Sequence, residues 1–353
     1  MRLVDSHVHI CNSSPEAVES VLDELAAFGV SDVALQSIST SPKYDRIQNL
    51  SVLWWKSKYK KMRLGAFGCL HELDLYSSVP YEKQAESLLS LGCDGMKFLH
   101  MKPDLRKMIG KGLDDKSYDG VFAMLEEREI PITIHSGDPE TFWDIDKIPP
   151  ALIKRGWFYG DGSYLSREEH YNEIFRLLDK HPRLKVTLAH FFFLSNFIDE
   201  AERVLDTYPN VCFDLTPGWE MYVGFSRDID AWRDFFIRYS DRILYGTDSN
   251  SDKKDNAKLH ELVLSALKHD RSEFSMPCFG GPIIKGLDLP CDVIDKICYK
   301  NYDRLVASPK QVDIDGVYSA AERMLFDLRS YPDEAASTVW LNEFLTTNIY
   351  KKG

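Results

Sequence analysis

Short apolar segments alternate with amphipathic helical segments eight times along the sequence, and few folds accommodate such a pattern. Several of the apolar segments are continuous runs, such as VCFDL and KVTLAH, which are typical of parallel strands buried on both faces. The predicted strands are Leu3–Ile10, Asp32–Ile38, Arg63–Leu70, Gly95–His100, Pro131–His135, Leu184–His190, Val211–Leu215 and Arg242–Thr247. Repeated strand–helix alternation predicts a series of right-handed βαβ units around a parallel sheet.

The helical segments carry their own start and stop signals. Between the first two strands, Ser14–Gly29 begins with a capping Ser and a Pro in the first turn, and it ends at a Gly. Two folds fit this series of units, a TIM-type (β/α)8 barrel and an open doubly wound sheet. The first predicted strand is not followed by a GxGxxG motif, so the dinucleotide-binding form of the open sheet has no support.

The length of the chain indicates how it is divided. Its 353 residues exceed the ~250 that are typical of a barrel, and insertions in loops account for part of the excess. We predict an α/β fold with a TIM-type (β/α)8 barrel in residues 1–309 and a C-terminal helical extension in residues 310–353. We expect the extension to pack against the barrel, and a contact between subunits of a homo-oligomer is the alternative.

Charge and cysteine content exclude several classes of protein. The net charge of −12 argues against binding to nucleic acid, which needs a basic surface. The seven cysteines are scattered, form no CxxC pair and favour a reducing compartment. Neither a signal peptide nor the ~20-residue apolar run of a membrane helix is present. We therefore expect a cytoplasmic protein whose partner is a small-molecule substrate.

Two histidines in the first strand suggest a metal site. In LVDSHVHI, side chains two residues apart point to the same face of a strand, so Asp5, His7 and His9 share a face. Taken alone, the two histidines fit either a metal-binding pair or ordinary strand residues.

Other polar residues follow the same pattern at later strand ends. Lys97 lies within the fourth strand, His135 and His190 end the fifth and sixth, and Asp248 follows the eighth. The C-terminal ends of all barrel strands meet at one mouth, where active sites of such barrels lie. Imidazoles and a carboxylate bind zinc and similar divalent ions, which activate a bound water, and a nearby carboxylate can accept its proton.

In this order, DSHVH, GMKF, IHSGD, LAHF and YGTDS resemble the motifs of the amidohydrolase superfamily, and most closely those of its amidohydrolase-2 branch of metal-dependent hydrolases and decarboxylases. KICYKNYDRLV also resembles the closing helix of that branch, and the resemblance covers roughly Arg2 to Val306. Asp248 and His190 are then the expected catalytic residues. The metal ligands that the resemblance implies are His7, His9, His135, His190 and Asp248, with Lys97 as a bridging ligand if it is carboxylated.

The resemblance implies one or two divalent ions, with Zn²⁺ expected and Mn²⁺ as the alternative. An uncarboxylated Lys97 would instead contact substrate or pair with a carboxylate. We predict a hydrolase that uses a metal-activated water on an amide, ester or lactone carbonyl. A non-oxidative decarboxylase on the same site is the first alternative, although no Arg at a strand end suits a substrate carboxylate. A metal-stabilised binding protein without activity is the second.

Several further residues are candidates for contact with substrate. His71 and His100 lie just beyond strand ends, Tyr159 belongs to an aromatic loop after the fifth strand, and Trp219 and Glu220 follow the seventh. The sequence around three other histidines is helical and charged, so we expect them at the surface. These three are His170, His260 and His269.

Overall fold

The computed structural model describes residues 2–11, 13–38, 45–73, 76–218, 220–275, 281–331 and 335–347. Its strands are β1 (Val4–His9), β2 (Asp32–Gln36), β3 (Arg63–Gly68), β4 (Gly95–Met101), β5 (Ile132–Ser136), β6 (Val186–Leu188), β7 (Val211–Asp214), β8 (Ile243–Leu244), β9 (Ser249–Asn250), β10 (Glu273–Ser275) and β11 (Ile283–Lys285).

The α-helices follow the strands in the predicted alternation. They are α1 (Pro15–Phe28), α2 (Asp45–Lys58), α3 (Tyr81–Leu91), α4 (Pro103–Ile109), α5 (Asp119–Glu127), α6 (Pro150–Ile153), α7 (Arg167–Lys180), α8 (Ile198–Thr207), α9 (Met221–Arg227), α10 (Ile229–Arg238), α11 (Ala257–Lys268), α12 (Cys291–Asp295), α13 (Asn301–Leu305), α14 (Ile314–Leu328) and α15 (Ala335–Thr346). Within the described residues, none of these helices is long and apolar enough to cross a membrane.

The main sheet is parallel and curls back on itself. Strands β1 to β8 neighbour one another in sequence order, and β9 pairs with the free side of β1. Because β8 pairs with β7 and β9 begins five residues after β8 ends, the segment 243–250 links the two ends of the sheet. This arrangement is consistent with a TIM-type barrel and argues against an open doubly wound sheet.

Each of the eight predicted strands overlaps an observed strand, but six are shorter than predicted, the sixth and the eighth by the largest margin. The sixth ends at Leu188 because a turn of left-handed backbone begins at His190 (φ 56°). The eighth is reduced to β8, and the unpredicted β9 follows it after Asp248, whose backbone is also left-handed (φ 57°). The antiparallel pair of β10 and β11 was not predicted.

Helix α1 confirms the predicted end signals. The hydroxyl of Ser14 accepts a hydrogen bond from the Ala17 amide at 3.3 Å, Pro15 is the first helical residue, and Gly29 (φ 99°) ends the helix. Only a residue without a Cβ adopts that backbone conformation at little cost.

Helices α14 and α15 of the C-terminal segment pack against α2. The indole Nε1 of Trp340 donates to the carbonyl of Ser13 at 3.0 Å, which links α15 to the start of the chain. Phe344 is fully buried, stacks on Trp340 with 4.9 Å between ring centroids, and lies 6.4 Å from the ring of Trp54 in α2.

Replacing Phe344 by Ala should lower the free energy of unfolding by about 3–5 kcal/mol, because the large side chain leaves a cavity between α15 and the helices below it. Chemical denaturation followed by tryptophan fluorescence measures the change. Val339 lies in the same helix but is 56% exposed, so Val339→Ala is the matched control and should change little. Equal effects of the two substitutions would show that α15 is not docked through Phe344.

Candidate active site

The two histidines of β1 and Asp248 form a compact group at the C-terminal end of the sheet. The Nε2 atoms of His7 and His9 are 3.0 Å apart, and Asp248 Oδ1 is 3.3 Å from His9 Nε2. One ligand atom from each of the three residues lies within 4.8 Å of the others. Both histidines are buried, whereas the Asp248 side chain is 29% exposed, so the group is open on the carboxylate side.

Hydrogen bonds determine which ring nitrogen of each histidine carries the proton. His7 Nδ1 is 2.8 Å from Asp214 Oδ2, and His9 Nδ1 is 2.7 Å from the carbonyl oxygen of Gln36. A carboxylate and a carbonyl only accept hydrogen bonds, so both Nδ1 atoms donate and both Nε2 atoms carry lone pairs. Burial lowers the pKa of His9 to about 4 and that of His7 well below its usual value. Two neutral imidazoles with lone pairs directed at one point fit a divalent metal ion.

Lys97 contacts the same group from β4. It is fully buried, and its Nζ lies 3.0 Å from His7 Nε2. Burial lowers the pKa of Lys97 to about 8, an effect that the charges of Asp214 and Asp248 oppose. The amine of Lys97 is therefore easier to deprotonate than that of a lysine in water.

His135 and His190 lie on the other side of His7. Their ring centroids are 4.7 Å apart, and that of His190 is 5.8 Å from His7. His190 Nδ1 is 3.2 Å from the carbonyl of Thr216, and His135 Nε2 is 3.1 Å from the carbonyl of Gly137. Each ring thus donates through one nitrogen and retains a lone pair on the other. The structure brings six of the predicted site residues together: His7, His9, Lys97, His135, His190 and Asp248.

The chain belongs to the amidohydrolase-2 family. The family model, described as amidohydrolase, matches residues 13–305, a span that includes Lys97, His135, His190 and Asp248 and begins after His7 and His9. A comparison with curated protein sequences finds no match.

Solved structures with the same fold share little sequence with this chain. A TIM-barrel protein from Bordetella bronchiseptica is 16% identical, with a TM-score of 0.55 over 87% of this chain and 99% of that one. A 4-oxalomesaconate hydratase from Rhodopseudomonas palustris is 13% identical (TM-score 0.51, 91% and 99% covered). A dihydroxybenzoic acid decarboxylase from a Polaromonas species, solved with manganese and the inhibitor 2-nitroresorcinol, is 12% identical (TM-score 0.52, 87% and 97% covered).

Both expected catalytic residues have strained backbone. His190 and Asp248 both have φ near +56°, and Phe191–Phe193 continue the left-handed turn. Such backbone costs roughly 1–2 kcal/mol per residue and is concentrated at functional sites. The amide of His190 donates to Asp214 Oδ1 at 2.8 Å, and that of Asp248 donates to the His7 carbonyl at 2.9 Å. These bonds help to hold both residues in place.

Gly246 allows the YGTDS segment to pass close to the site. A Cβ at this position would lie 2.8 Å from Thr216 Oγ1 and 3.2 Å from the Cβ of His7. Any larger residue would therefore force Thr216 or the segment that carries Asp248 to shift.

Asp214 supports the site from the end of β7 and was not predicted as a site residue. It is fully buried and accepts hydrogen bonds from His7 Nδ1, from the His190 amide and from the Thr216 amide. One carboxylate therefore orients a ring from β1 and the backbone after β6. The signal that could have identified it is an acidic residue at the end of the buried run VCFDL.

Asp5 and His260 form a second buried polar group, behind the site. Asp5 accepts hydrogen bonds from the amides of His7 and Thr247 and from the Thr247 hydroxyl. Burial raises the pKa of Asp5 to about 7. His260 Nδ1 lies 2.7 Å from Tyr245 Oη, and its Nε2 lies 3.4 Å from Asp5. Asp5 thus supports the backbone on either side of the candidate ligands.

The prediction of surface positions was wrong for two histidines. His170 and His260 are 1% and 0% exposed, whereas the side chain of His269 is 42% exposed. Helical, charged surroundings in sequence do not show which face of a helix packs against the barrel.

The two predicted substrate contacts that follow β3 and β4, His71 and His100, differ from each other in their surroundings. His100 is buried on the side of β4 that faces α5, where it contacts Glu72 and Tyr118 rather than sharing the face of Lys97. His71 is half-buried beside Tyr76, with 5.5 Å between ring centroids.

The other three predicted substrate contacts lie on the loops after β5 and β7. The Tyr159 hydroxyl is buried and donates to Asp138 Oδ2 at 2.8 Å, and Asp138 Oδ1 is 3.7 Å from His135 Nε2. Tyr159 thus approaches the site through one intervening carboxylate. Glu220 is buried, and Trp219 lies outside the described residues.

Proposed function

We propose that this amidohydrolase is a metal-dependent hydrolase that cleaves an amide, ester or lactone bond of a small molecule. The observation that carries the proposal is the pair of Nε2 lone pairs of His7 and His9, 3.0 Å apart and beside Asp248. Each histidine donates its single ring proton, on Nδ1, to a fixed acceptor, so both rings are oriented as neutral ligands.

His7, His9 and Asp248 would hold the ion, with His135 and His190 as further ligands or as groups facing the substrate. A bound divalent ion supplies a Lewis acid that lowers the pKa of coordinated water toward ~7 and polarises a carbonyl oxygen. Zn²⁺ suits this set of nitrogen and oxygen donors, and Mn²⁺ is the alternative. A second ion would require further ligands, which a carboxylated Lys97 would supply.

Asp248 is the proposed proton carrier. Its Oδ1 faces His9, and its Oδ2 lies 3.1 Å from the Lys253 ammonium, which keeps the carboxylate ionised and oriented. A carboxylate in this position accepts the proton of the attacking water and returns it to the leaving group. His190, across the site, retains a lone pair on Nε2 and is positioned to accept a hydrogen bond from the attacking water or from the substrate.

The charges around the site favour hydrolysis over decarboxylation. A decarboxylase must hold a substrate carboxylate, and the lysines that follow β4 and β9 are already paired. Lys102 Nζ is 2.9 Å from Asp138, and Lys253 Nζ is 3.1 Å from Asp248. Neither offers an uncompensated positive charge to a second carboxylate.

We also propose that residues 1–309 are the catalytic unit and residues 310–353 its helical extension. The contacts of Trp340 and Phe344 with the barrel support this division.

The test of the function begins with metal analysis of the purified protein. We expect one or two equivalents of bound divalent ion. Dialysis against dipicolinic acid should abolish hydrolysis of a panel of amides, esters and lactones, and Zn²⁺ or Mn²⁺ should restore it. His7→Ala should lose the metal, whereas His269→Ala, at an exposed histidine, should retain it.

Two results would contradict the proposal. Full activity in a protein shown to hold no metal would exclude a metal-dependent mechanism. Carbon dioxide release from aromatic or enoic acids, without hydrolysis of the panel, would identify a decarboxylase instead.

A fall from two equivalents of metal to one in Lys97→Met would indicate that carboxylated Lys97 bridges two ions.

A further inference from the structure

Glu220 is a buried carboxyl group without a partner, on the loop between β7 and α9. Glu220 is 6% exposed. In the part of the chain that the structure describes, neither of its carboxyl oxygens forms a hydrogen bond with another residue. We propose that Glu220 binds a positively charged group of the substrate, a primary ammonium or a guanidinium, beside the candidate metal centre.

The loop that carries Glu220 begins at that centre. The carbonyl of Thr216 accepts a hydrogen bond from His190 Nδ1, and Tyr222 Oη donates to the carbonyl of Leu215 at 2.7 Å. These two bonds hold the start of the loop against the site and its end against β7. Glu220 lies four residues after Thr216 and two residues before Tyr222, so it lies between these two bonds in the chain.

Two other acidic residues act on Glu220 from the loop after β5. Burial raises the pKa of Glu220 to about 8, and the charges of Glu140 and Asp138 add to this effect. Asp138 Oδ1 is 3.7 Å from His135 Nε2, so this acidic region adjoins the predicted ligands.

Two positive charges near this region, those of Lys102 and Arg227, have partners other than Glu220. Lys102 pairs with Asp138, and Arg227 donates to Asn196 Oδ1 at 2.9 Å. Asn196 in turn donates to Glu140 Oε1 at 2.9 Å, and the buried Glu140 Oε2 has no partner among the described residues. Glu220 and one oxygen of Glu140 therefore lack a compensating donor from the described part of the chain.

A cation from the substrate satisfies this arrangement best. Burying a carboxyl group without a partner destabilises a protein, and such strained groups are retained at binding sites. An anionic substrate would be repelled by Glu140 and Asp138, whereas an approaching cation would favour ionisation of Glu220 and pair with the carboxylate that results. The inference rests on the proposed function in one respect, that the reacting bond lies at the metal centre beside Glu220.

Calorimetric titration of the metal-containing protein with n-butylammonium, n-butanol and n-butyrate tests the binding step without any catalytic assay. The wild type should bind n-butylammonium more tightly than either of the other probes. Glu220→Gln should weaken that binding by about 10–100-fold, as expected for the loss of a charged hydrogen-bonding partner. Glu168→Gln, which removes an exposed carboxylate from α7, should bind as the wild type does. Tighter binding of n-butyrate, or equal binding by Glu220→Gln and wild type, would overturn the proposal.

A second readout is the thermal stability of the free protein. Glu220→Gln should raise Tm by about 2 °C or more at neutral pH, because folding no longer has to protonate a carboxyl group whose pKa is raised by burial. A fall in Tm would indicate a structural role for Glu220 and would count against the proposal.

Failure of this inference can be separated from failure of the proposed function. If the panel shows no hydrolysis, the proposed function fails, but the calorimetric comparison still decides the role of Glu220. If hydrolysis is found, Glu220→Gln should raise KM for amine-bearing substrates by about 10–100-fold, with a smaller change in kcat and no change for neutral analogues. An equal change for charged and neutral substrates would contradict the assignment.

Discussion

The variant Asp248→Asn should hydrolyse substrate about 10²–10⁴ times more slowly than the wild type, because it removes the carboxylate that accepts and returns the proton. An amide has nearly the same shape and still presents an oxygen toward His9, so the protein should fold and bind metal, although less tightly. Turnover is best measured at matched metal content, determined by elemental analysis of the same samples.

Asp252→Asn is the matched control for this substitution. Asp252 lies four residues further along the chain and is exposed, so its replacement alters the same loop without altering the site. A kcat for Asp248→Asn within a few-fold of the wild type, at equal metal content, would show that another group carries the proton.

The variant Asp214→Asn should bind metal about 10–100 times more weakly than the wild type, which is the usual effect of removing a carboxylate that orients a histidine ligand. The amide of Asn can turn its NH₂ group toward His7 Nδ1. That contact would favour the tautomer with a proton on Nε2, where the metal must bind. Competition with a fluorescent chelator measures the affinity directly.

Asp206→Asn, at an exposed carboxylate of α8, is the corresponding control and should leave the affinity unchanged. Because Asp214 also accepts the amide of His190, near-ultraviolet circular dichroism should be compared between variant and wild type. Unchanged metal affinity in a folded Asp214→Asn variant would exclude the tautomer argument.

The strand–helix order and the places where strands end could be predicted from the sequence, because both depend on local patterns. Runs such as VCFDL and KVTLAH have the character of buried parallel strands, and the ends of such strands meet at one edge of the sheet. The convergence of His7, His135 and Asp248 on one region followed from this rule alone.

The supporting contacts could not be predicted because they depend on distances between elements far apart in sequence. The bond from His7 to Asp214 spans 207 residues and requires β1 and β7 to lie near the same closing segment. The burial of His260 depends on which face of α11 packs on the barrel. The outward position of His100 follows from the alternation along β4, in which residues 97 and 99 share one face and residue 100 lies on the other.

The closing segment 243–250 also has a consequence for synthesis of the protein. Two candidate ligands, His7 and His9, are made about 240 residues before Asp248, which follows β2 to β7 in the chain. Until that segment arrives, one edge of β1 remains unpaired, and such edges are prone to aggregate. A divalent ion that needs all three residues would bind only to the completed ring, so metal uptake would mark the end of folding and stabilise its product.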